Sequence, residues 1–288
     1  MGFSGTYTAL VTPFAQDGSV DYEALNRLIE QQIAGGVQGI VAVGTTGESP
    51  TLRTHEHLKV IEQVIEQVAG RCKVIAGTGA NATDEALELT LASKAFGADG
   101  TLQVTPYYNK PTNRGLIAHF SAVADLGLPV VLYNVPGRTS REIPLEVVEV
   151  LSEHPHVVSI KEAAGSVERV KQIREICDLE ILSGDDALAL PMIKEGAIGL
   201  ISVASNIMPA QVVALVEAAR GGDWEQAQTL HDRYCSFFDA LFIETNPIPV
   251  KAVMAAAGWI EEMYRLPLCA MEPEHRAQLL ELYEGVRG

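Results

Sequence analysis

Short apolar runs alternate with amphipathic stretches along most of the chain. Each run is rich in aliphatic and β-branched residues and ends in a cluster of Gly, Thr, Asn or Pro, which is typical of a strand followed by a loop. Eight such runs begin near Thr6, Gly39, Lys73, Gly100, Pro129, Val157, Glu180 and Gly199. The stretches between them show the apolar spacing of helices. Examples are residues 22–34, 55–68, 84–96 and 167–177.

Strands that alternate with helices predict βαβ units and a parallel sheet. The runs lack a long alternation of polar residues, so we expect the sheet to be covered on both faces. Eight units in a chain of 288 residues match a (β/α)8 TIM barrel. The alternative is an open doubly wound sheet, but the first strand–helix turn has no GxGxxG fingerprint.

The alternation of strands and helices ends after the eighth strand. Residues 208–220 fit the last helix of the barrel. Three more helical patterns follow without a strand between them, at residues 223–243, 249–257 and 273–283. We therefore expect a catalytic barrel domain over residues 1–222 and a helical C-terminal extension over residues 223–288.

The composition of the chain limits the kinds of molecule that it can bind and the compartment in which it works. The chain has 37 acidic and 21 basic residues and a formal net charge of −16, so nucleic acid and anionic membranes are poor partners. The N-terminus lacks a secretion signal and no apolar run reaches membrane-spanning length. Scattered cysteines without CxxC spacing indicate free thiols, and we expect a cytoplasmic protein. The cysteines are Cys72, Cys177, Cys235 and Cys269.

Barrel enzymes form their active sites where the strands end. The eight strand ends supply one lysine, Lys161, together with several hydroxyl groups and glycines. They supply no His, Asp and Glu cluster of the kind that binds a metal, so we expect no metal site. A desolvated lysine amine loses its proton more readily and can form a Schiff base with a carbonyl compound. From its own segment alone, Lys161 also fits an edge-strand lysine that reaches water.

The alternation of side chains along a strand predicts which of them face the barrel interior. Lys161 shares a face with Ser159, whereas Val158 and Ile160 share the other. If Val158 and Ile160 pack on the helices, Lys161 points inward. The same rule turns Tyr133 inward on the neighbouring strand, so a nucleophile and a proton carrier can approach each other. Taken alone, Tyr133 also fits a core tyrosine with a satisfied hydroxyl.

Two segments supply groups that suit a carboxylate. The turn at residues 44–48 offers hydroxyls and backbone N–H groups, and we predict Thr54 as the N-cap of the helix after it. Arg138 lies just past the fifth strand, and arginine pairs with carboxylates in a bidentate manner. A simple turn and a surface arginine fit these segments equally well. Asp185 and Asp186 follow the seventh strand and argue against a phosphorylated substrate.

A series of motifs resembles the dihydrodipicolinate synthase family of pyruvate-dependent class I aldolases, which also includes N-acetylneuraminate lyase. In order, the motifs are ALVTPF, GTTGES, IAGTGAN, VTPYYNKP, YNVPGRT, IKEA, LSGDD and NPIPVK. Each is weak alone, but their order and spacing are specific and cover essentially the whole chain. The resemblance implies a TIM barrel with a C-terminal helical extension, usually assembled as a homotetramer built from two dimers.

The resemblance also implies roles for individual residues. Lys161 forms a Schiff base with pyruvate, and Tyr133 donates and accepts the proton at that imine. Thr45 links Tyr133 to Tyr108 in a proton relay, and Tyr108 reaches into the site of the neighbouring subunit. Thr46 binds the pyruvate carboxylate. We therefore expect each complete relay to need a dimer.

The resemblance assigns two further residues to the substrates. The main chain at Val203 lies near pyruvate, and Arg138 binds the carboxylate of L-aspartate 4-semialdehyde. The implied activity is a carbon–oxygen lyase that condenses these two compounds for diaminopimelate and lysine biosynthesis. The imine on Lys161 serves in place of a cofactor. The alternatives are another pyruvate–aldehyde lyase and a non-catalytic sensor of oxo acids, although neuraminate lyases usually carry a Ser-Thr pair and lack this arginine.

Members of this family are often inhibited by L-lysine at the tight dimer interface. Pro50 and Thr54 depart from the alanine and histidine of the enteric pattern, so we expect weak or partial inhibition. The residues that match the lysine-sensitive pattern are His57, Asn81, Glu85 and Tyr107.

Overall fold

The structure, a computed structural model, describes residues 2–287. Eight parallel strands follow one another around a closed barrel, and the last strand pairs with the first. The strands are β1 (Gly5–Ala9), β2 (Gly39–Ala42), β3 (Lys73–Gly77), β4 (Gly100–Val104), β5 (Val130–Asn134), β6 (Val157–Glu162), β7 (Glu180–Ser183) and β8 (Gly199–Ser202). Every strand begins at the predicted residue or at its immediate neighbour.

Helices connect the strands on the outside of the barrel. They are α1 (Tyr22–Ala34), α2 (Thr54–Val68), α3 (Thr83–Phe96), α4 (Asn113–Ala124), α5 (Pro136–Thr139), α6 (Leu145–Ser152), α7 (Glu168–Ile176), α8 (Ala189–Lys194) and α9 (Pro209–Arg220). The chain then forms α10 (Trp224–Ala240), α11 (Ile248–Ala256) and α12 (Pro273–Val286). Short 3-10 helices lie at Ser49–Thr51 and Ala204–Asn206. The TIM barrel with a C-terminal helical extension is therefore confirmed, whereas a domain boundary at residue 222 stays a prediction.

The buried apolar residues form two layers. The outer layer packs the strands against the helices, and it includes Phe237 and Phe238 of the extension. The inner layer fills the barrel and draws on residues from several strands, among them Tyr7, Val41, Ile75, Leu102, Val131, Leu182 and Ile201. Phe3 meets Tyr7 edge to face at the N-terminal end, with ring centres 5.9 Å apart. Because the inner layer closes this end, a substrate site belongs at the other end of the barrel.

The pairing of β5 with β6 contains one irregularity. It passes from Val130–Val157 to Val131–Ser159 and skips Val158. An extra residue of this kind forms a β-bulge, which changes the face to which a side chain points. The prediction that Val158 packs on the helices is therefore wrong, because Val158 packs against the inner layer.

Beyond this bulge the strands alternate regularly. Ile160 and Leu132 pack in the outer layer, whereas Tyr133 belongs to the inner layer. Lys161 pairs with Tyr133 across the two strands. The predicted inward orientation of Tyr133 is therefore confirmed. Lys161 follows Ile160, which points outward, so its side chain points to the same side as Tyr133.

The start of α2 differs from the prediction by one position. Arg53, and not Thr54, is the N-cap residue, so Thr54 is the first residue of the helix. The carboxylate of Glu56 accepts a hydrogen bond from the Arg53 backbone N–H at 3.0 Å. Glu56 at the third helical position thus caps the backbone N–H of Arg53, which is a different bond from the one that an N-cap threonine hydroxyl would accept.

The sequence also led to expectations about membrane-spanning segments, cysteines and metal sites. None of the helices within residues 2–287 is long and apolar enough to span a membrane. The four cysteines are free thiols, of which Cys269 is exposed and the others are half-buried, as the sequence predicted. Across the same residues, no group of three or more His, Cys, Asp or Glu side chains is arranged to hold a metal ion.

Val148 and Val150 of α6 offer a matched pair of substitutions. Val148 is 0% exposed in the outer layer, whereas Val150 is 51% exposed. Val148→Ala removes buried methyl groups and leaves a cavity, so we expect the free energy of unfolding to fall by about 2 kcal/mol. Val150→Ala should change it by less than about 0.5 kcal/mol. Thermal denaturation of both variants checks this, and equal melting temperatures would contradict the described packing.

Candidate active site

A cavity of about 330 Å3 lies at the C-terminal ends of the strands. It brings together six residues that the sequence singled out, namely Thr45, Thr46, Tyr133, Arg138, Lys161 and Val203. The rest of its lining consists of Val135, Gly137, Ala163, Ala164, Gly165, Gly184, Asp185, Phe242 and Asn246. A larger cavity of about 510 Å3 lies at the N-terminal ends of β6 and β7. Barrel enzymes do not form their active sites at that end.

Lys161 and Tyr133 meet at the floor of the 330 Å3 cavity. Lys161 Nζ lies 4.3 Å from the centre of the Tyr133 ring, and both side chains are buried. Gly184 at the end of β7 leaves room for the lysine, because a Cβ atom there would lie 2.9 Å from Lys161 Cε. The amine therefore lies in the cavity beside a phenol, where a small carbonyl compound can reach it.

The residues that follow Tyr133 and Lys161 form a buried bridge on the opposite face of the sheet. Asn134 pairs with Glu162, and its side-chain amide donates to both carboxylate oxygens at 3.0 Å. Burial raises the pKa of Glu162, whereas the hydrogen bonds from Asn134 and a backbone N–H and the charge of Arg169 oppose the shift. Because it lies one residue further along both strands, the bridge fixes the register that sets Tyr133 beside Lys161.

A residue of the C-terminal extension links the two candidate carboxylate-binding groups. The side-chain amide of Asn246 donates to Thr46 Oγ1 at 3.0 Å. Arg138 Nη2 donates to the backbone oxygen of Asn246 at 3.1 Å. Asn246 was not among the predicted site residues, although it opens the NPIPVK motif. The place of Asn246 in the site could not be inferred from the sequence, because it depends on how the extension folds over the barrel.

The two aspartates after β7 have different environments. Asp185 lines the cavity, whereas Asp186 is buried and accepts backbone N–H groups from Val203 at 2.9 Å and Ala204 at 3.3 Å. Ser202 Oγ also donates to Asp186 at 2.5 Å. Burial raises the pKa of Asp186 to about 6 despite these hydrogen bonds. Only one of the two carboxylates faces a substrate, and the other holds the main chain at Val203.

A third cavity, of about 140 Å3, is lined by three of the residues that match the lysine-sensitive pattern. His57, Glu85 and Tyr107 line it, and Asn81 borders it because its amide donates to the Tyr107 backbone oxygen at 3.3 Å. His57 Nε2 donates to the Gly77 backbone oxygen at 2.7 Å, and burial lowers the pKa of this imidazole. The four residues therefore cluster next to the barrel end.

Tyr108 lies outside the 330 Å3 cavity of its own chain. Its side chain is 91% exposed, and its φ of 72° lies in the left-handed region, which is unfavourable for a residue with a Cβ atom. Thr45 and Tyr133, the other relay candidates, line a narrower space beside the cavity. The adjacent Tyr107 lines the 140 Å3 cavity, so the two tyrosines diverge at a bend in which Tyr108 has left-handed backbone.

Comparison with known proteins adds an independent line of evidence. Residues 2–284 match the model of the dihydrodipicolinate synthetase family. A 4-hydroxy-tetrahydrodipicolinate synthase from Endomicrobium trichonymphae is 48% identical over 280 residues, which is 96% of each chain.

Solved structures agree with this match over the whole barrel and the extension. The pyruvate complex of the dihydrodipicolinate synthase from Acinetobacter baumannii has a TM-score of 0.97 and 42% identity, and the match covers 99% of both chains. The lysine-bound enzyme from Cyanidioschyzon merolae has a TM-score of 0.96 and 41% identity, and the match covers 99% of this chain and 98% of that one. The chain belongs to the dihydrodipicolinate synthetase family.

Proposed function

We propose that this chain condenses pyruvate with L-aspartate 4-semialdehyde to give 4-hydroxy-tetrahydrodipicolinate, the step that commits carbon to diaminopimelate and lysine biosynthesis. The main support for this proposal is the distance of 4.3 Å between Lys161 Nζ and the Tyr133 ring centre. Arg138 lines the same cavity. A nucleophilic amine, a proton carrier and a carboxylate-binding guanidinium are the groups that this condensation needs.

The first half of the reaction activates pyruvate. The neutral Lys161 amine attacks the ketone carbon, and loss of water gives an imine. Tyr133 supplies the proton to the departing oxygen. The imine acidifies the pyruvate methyl group, and removal of a methyl proton gives an enamine. Thr46, which lines the cavity beside these residues, holds the pyruvate carboxylate.

The second half joins the two substrates. The enamine carbon attacks the aldehyde carbon of the semialdehyde, and the new oxyanion takes a proton to become a hydroxyl. The α-amine of the former semialdehyde then attacks the imine carbon, which closes the ring and expels Lys161. One water molecule is released overall, in the first half. The lysine itself withdraws the electrons, so no external cofactor is required.

Charges of opposite sign in the cavity suit the semialdehyde. Arg138 can bind its carboxylate in a bidentate manner. Asp185 lines the same cavity and carries a carboxyl group that suits an ammonium group. Burial raises the pKa of Asp185, and backbone hydrogen bonds oppose the shift. These two groups favour an amino acid aldehyde over a neutral sugar as the second substrate.

The proton relay from Tyr133 through Thr45 to Tyr108 extends to a partner subunit. The 91% exposure of Tyr108 supports this arrangement, since the side chain is free to enter a neighbouring site. We infer a tight dimer as the catalytic unit and a homotetramer as the assembly. The four free thiols suit a reducing compartment, which supports the cytoplasm as the place of the reaction.

We also propose that L-lysine binds the 140 Å3 cavity at the dimer interface. Glu85 is suited to its ammonium group, and His57, Asn81 and Tyr107 supply polar contacts at or beside the cavity. Pro50 and Thr54 belong to the same lining and depart from the alanine and histidine of the enteric pattern. Thr54 thereby changes one polar contact and Pro50 changes the shape of the wall, so we infer a weak effector site.

Turnover with a panel of aldehydes tests the reaction and its residues. Wild-type protein should turn over pyruvate with aspartate semialdehyde and not with N-acetylmannosamine or glyceraldehyde. Tyr133→Phe should lower kcat by about 10²–10⁴-fold, because a general acid–base group is lost. Lys161→Ala should lower it by at least about 10³-fold. Arg138→Ala should raise KM for the semialdehyde by about tenfold or more.

Arg220→Ala is the matched control for Arg138→Ala. Arg220 forms an exposed ion pair with Glu217 on α9, and its loss should leave both kinetic constants unchanged. Faster turnover with a sugar aldehyde would overturn the substrate assignment and keep the imine mechanism. Absence of turnover with every aldehyde would contradict the proposed enzymatic activity and favour a non-catalytic sensor of oxo acids.

Lysine titration of the initial rate tests the effector site. We expect partial inhibition that begins only at about millimolar L-lysine, since Thr54 stands in place of the histidine of the enteric pattern and changes its polar contact. Glu85→Gln should abolish the remaining inhibition without changing the rate in the absence of lysine. Full inhibition at low micromolar lysine, or none at any concentration, would contradict the proposal.

A further inference from the structure

The loop after β2 has an unfavourable backbone conformation at Glu48. Its φ is 56°, in the left-handed region where the Cβ atom crowds the backbone. Glu48 follows two residues after Thr46, which lines the 330 Å3 cavity. Such conformations persist only where surrounding contacts hold them, and they concentrate at functional sites. The contacts of Glu48 therefore determine the shape of the loop.

The Glu48 carboxylate forms a fully buried ion pair with Lys251 of α11. Lys251 Nζ lies 2.5 Å from Glu48 Oε1, and both side chains are 0% exposed. Glu48 Oε2 accepts a hydrogen bond from the Arg265 backbone N–H at 3.3 Å. Both partners of the Glu48 carboxylate thus belong to the C-terminal extension, although Glu48 itself belongs to the barrel.

The Lys251 ammonium group has further partners besides the carboxylate. It donates to the Thr12 backbone oxygen at 3.2 Å. It also lies 4.4 Å from the centre of the Phe14 ring and 5.2 Å from that of the Tyr264 ring. Burial lowers the pKa of this amine, whereas the Glu48 charge opposes the shift. A carboxylate, a carbonyl oxygen and the faces of two aromatic rings together stabilise a cation at this position.

The same contacts reach the backbone on both sides of Glu48. Thr12, whose carbonyl binds Lys251, donates its hydroxyl to the Gly47 oxygen at 2.7 Å. Thr51 Oγ1 donates to the Glu48 oxygen at 3.0 Å. A short network therefore runs from Lys251 to the residue next to Thr46. Neither Lys251 nor Glu48 lines the cavity, so both act on a substrate only through this loop.

Stability alone does not account for this ion pair. Taking two charges out of water costs free energy that their attraction scarcely repays, and a well-packed apolar pair is often at least as stable. A buried ion pair does fix the relative position of the groups that carry it. Here it joins an unfavourable backbone conformation to a helix from a distant part of the chain.

We propose that Lys251 and Glu48 are positioning residues for pyruvate. Their ion pair, through Thr12 and Gly47, holds Thr46 in the conformation that binds the pyruvate carboxylate. This inference rests on the proposed function, because it takes Thr46 as the carboxylate-binding group. The ion pair therefore affects the binding of pyruvate more strongly than the binding of the semialdehyde or the rate of the chemical steps.

Steady-state kinetics of Lys251→Met and Glu48→Gln test the proposal. Lys251→Met keeps the length of the side chain and removes its charge, so it should raise KM for pyruvate by about tenfold or more. KM for the semialdehyde and kcat should change by less than about threefold, because Arg138 and Tyr133, which serve those steps, lie outside this loop. Glu48→Gln keeps the shape and one acceptor oxygen and should raise KM for pyruvate by about threefold to tenfold.

Lys73→Met is the matched control. Lys73 makes two of the same kinds of contact, to a carbonyl and to an aromatic ring, at the opposite end of the barrel, where Nζ donates to the Gly2 oxygen at 2.6 Å and lies 5.1 Å from the Phe3 ring centre. Its replacement should leave KM for pyruvate within about twofold of wild type. Circular dichroism of each variant checks that it is folded. If Lys251→Met does not fold, Glu48→Gln decides the question.

The outcomes separate this inference from the proposed function. Wild-type protein that fails to condense pyruvate with the semialdehyde would overturn the proposed function itself. An active wild type whose folded Lys251→Met or Glu48→Gln variant keeps its KM for pyruvate would overturn only the positioning role. Equal changes in all kinetic constants, as from a general loss of structure, would overturn it as well.

Discussion

The pairing of β5 with β6 is the constraint on which the site depends. It sets Tyr133 opposite Lys161, and the next residues, Asn134 and Glu162, fix that register through two buried hydrogen bonds. A slip of one residue would turn each side chain to the other face of the sheet. The bulge at Val158 shows that the register of this strand pair is not regular throughout. The bridge thus secures the register at the point where the chemistry requires it.

The C-terminal extension completes the site and does not merely cover it. Asn246 bonds to the hydroxyl of Thr46, and Lys251 pairs with the carboxylate of Glu48 inside the protein. Both contacts end on the turn that follows β2. A barrel without the extension would leave the Glu48 carboxylate without its cation, which is costly in a buried position. The catalytic unit therefore includes residues from both parts of the chain.

Local patterns predicted the eight strands and the identity of the inward Tyr133, because side-chain alternation and helical spacing are short-range properties. The bulge at Val158 was missed, since its apolar side chain fits either face. The separate environments of Asp185 and Asp186 could not be predicted either, because they depend on the fold of β8 and its backbone N–H groups. Contacts between residues far apart in the chain, such as Glu48 with Lys251, leave no signal in one sequence.

The proposed reaction depends on an imine between Lys161 and pyruvate. Borohydride reduction in the presence of pyruvate, followed by peptide mass mapping, tests it most directly, because the protein also contains a second buried lysine, Lys251. We predict one reduced pyruvate per chain, attached to the peptide with Lys161 and lost in Lys161→Ala. A label on Lys251, or turnover of pyruvate without any trapped lysine, would contradict the account.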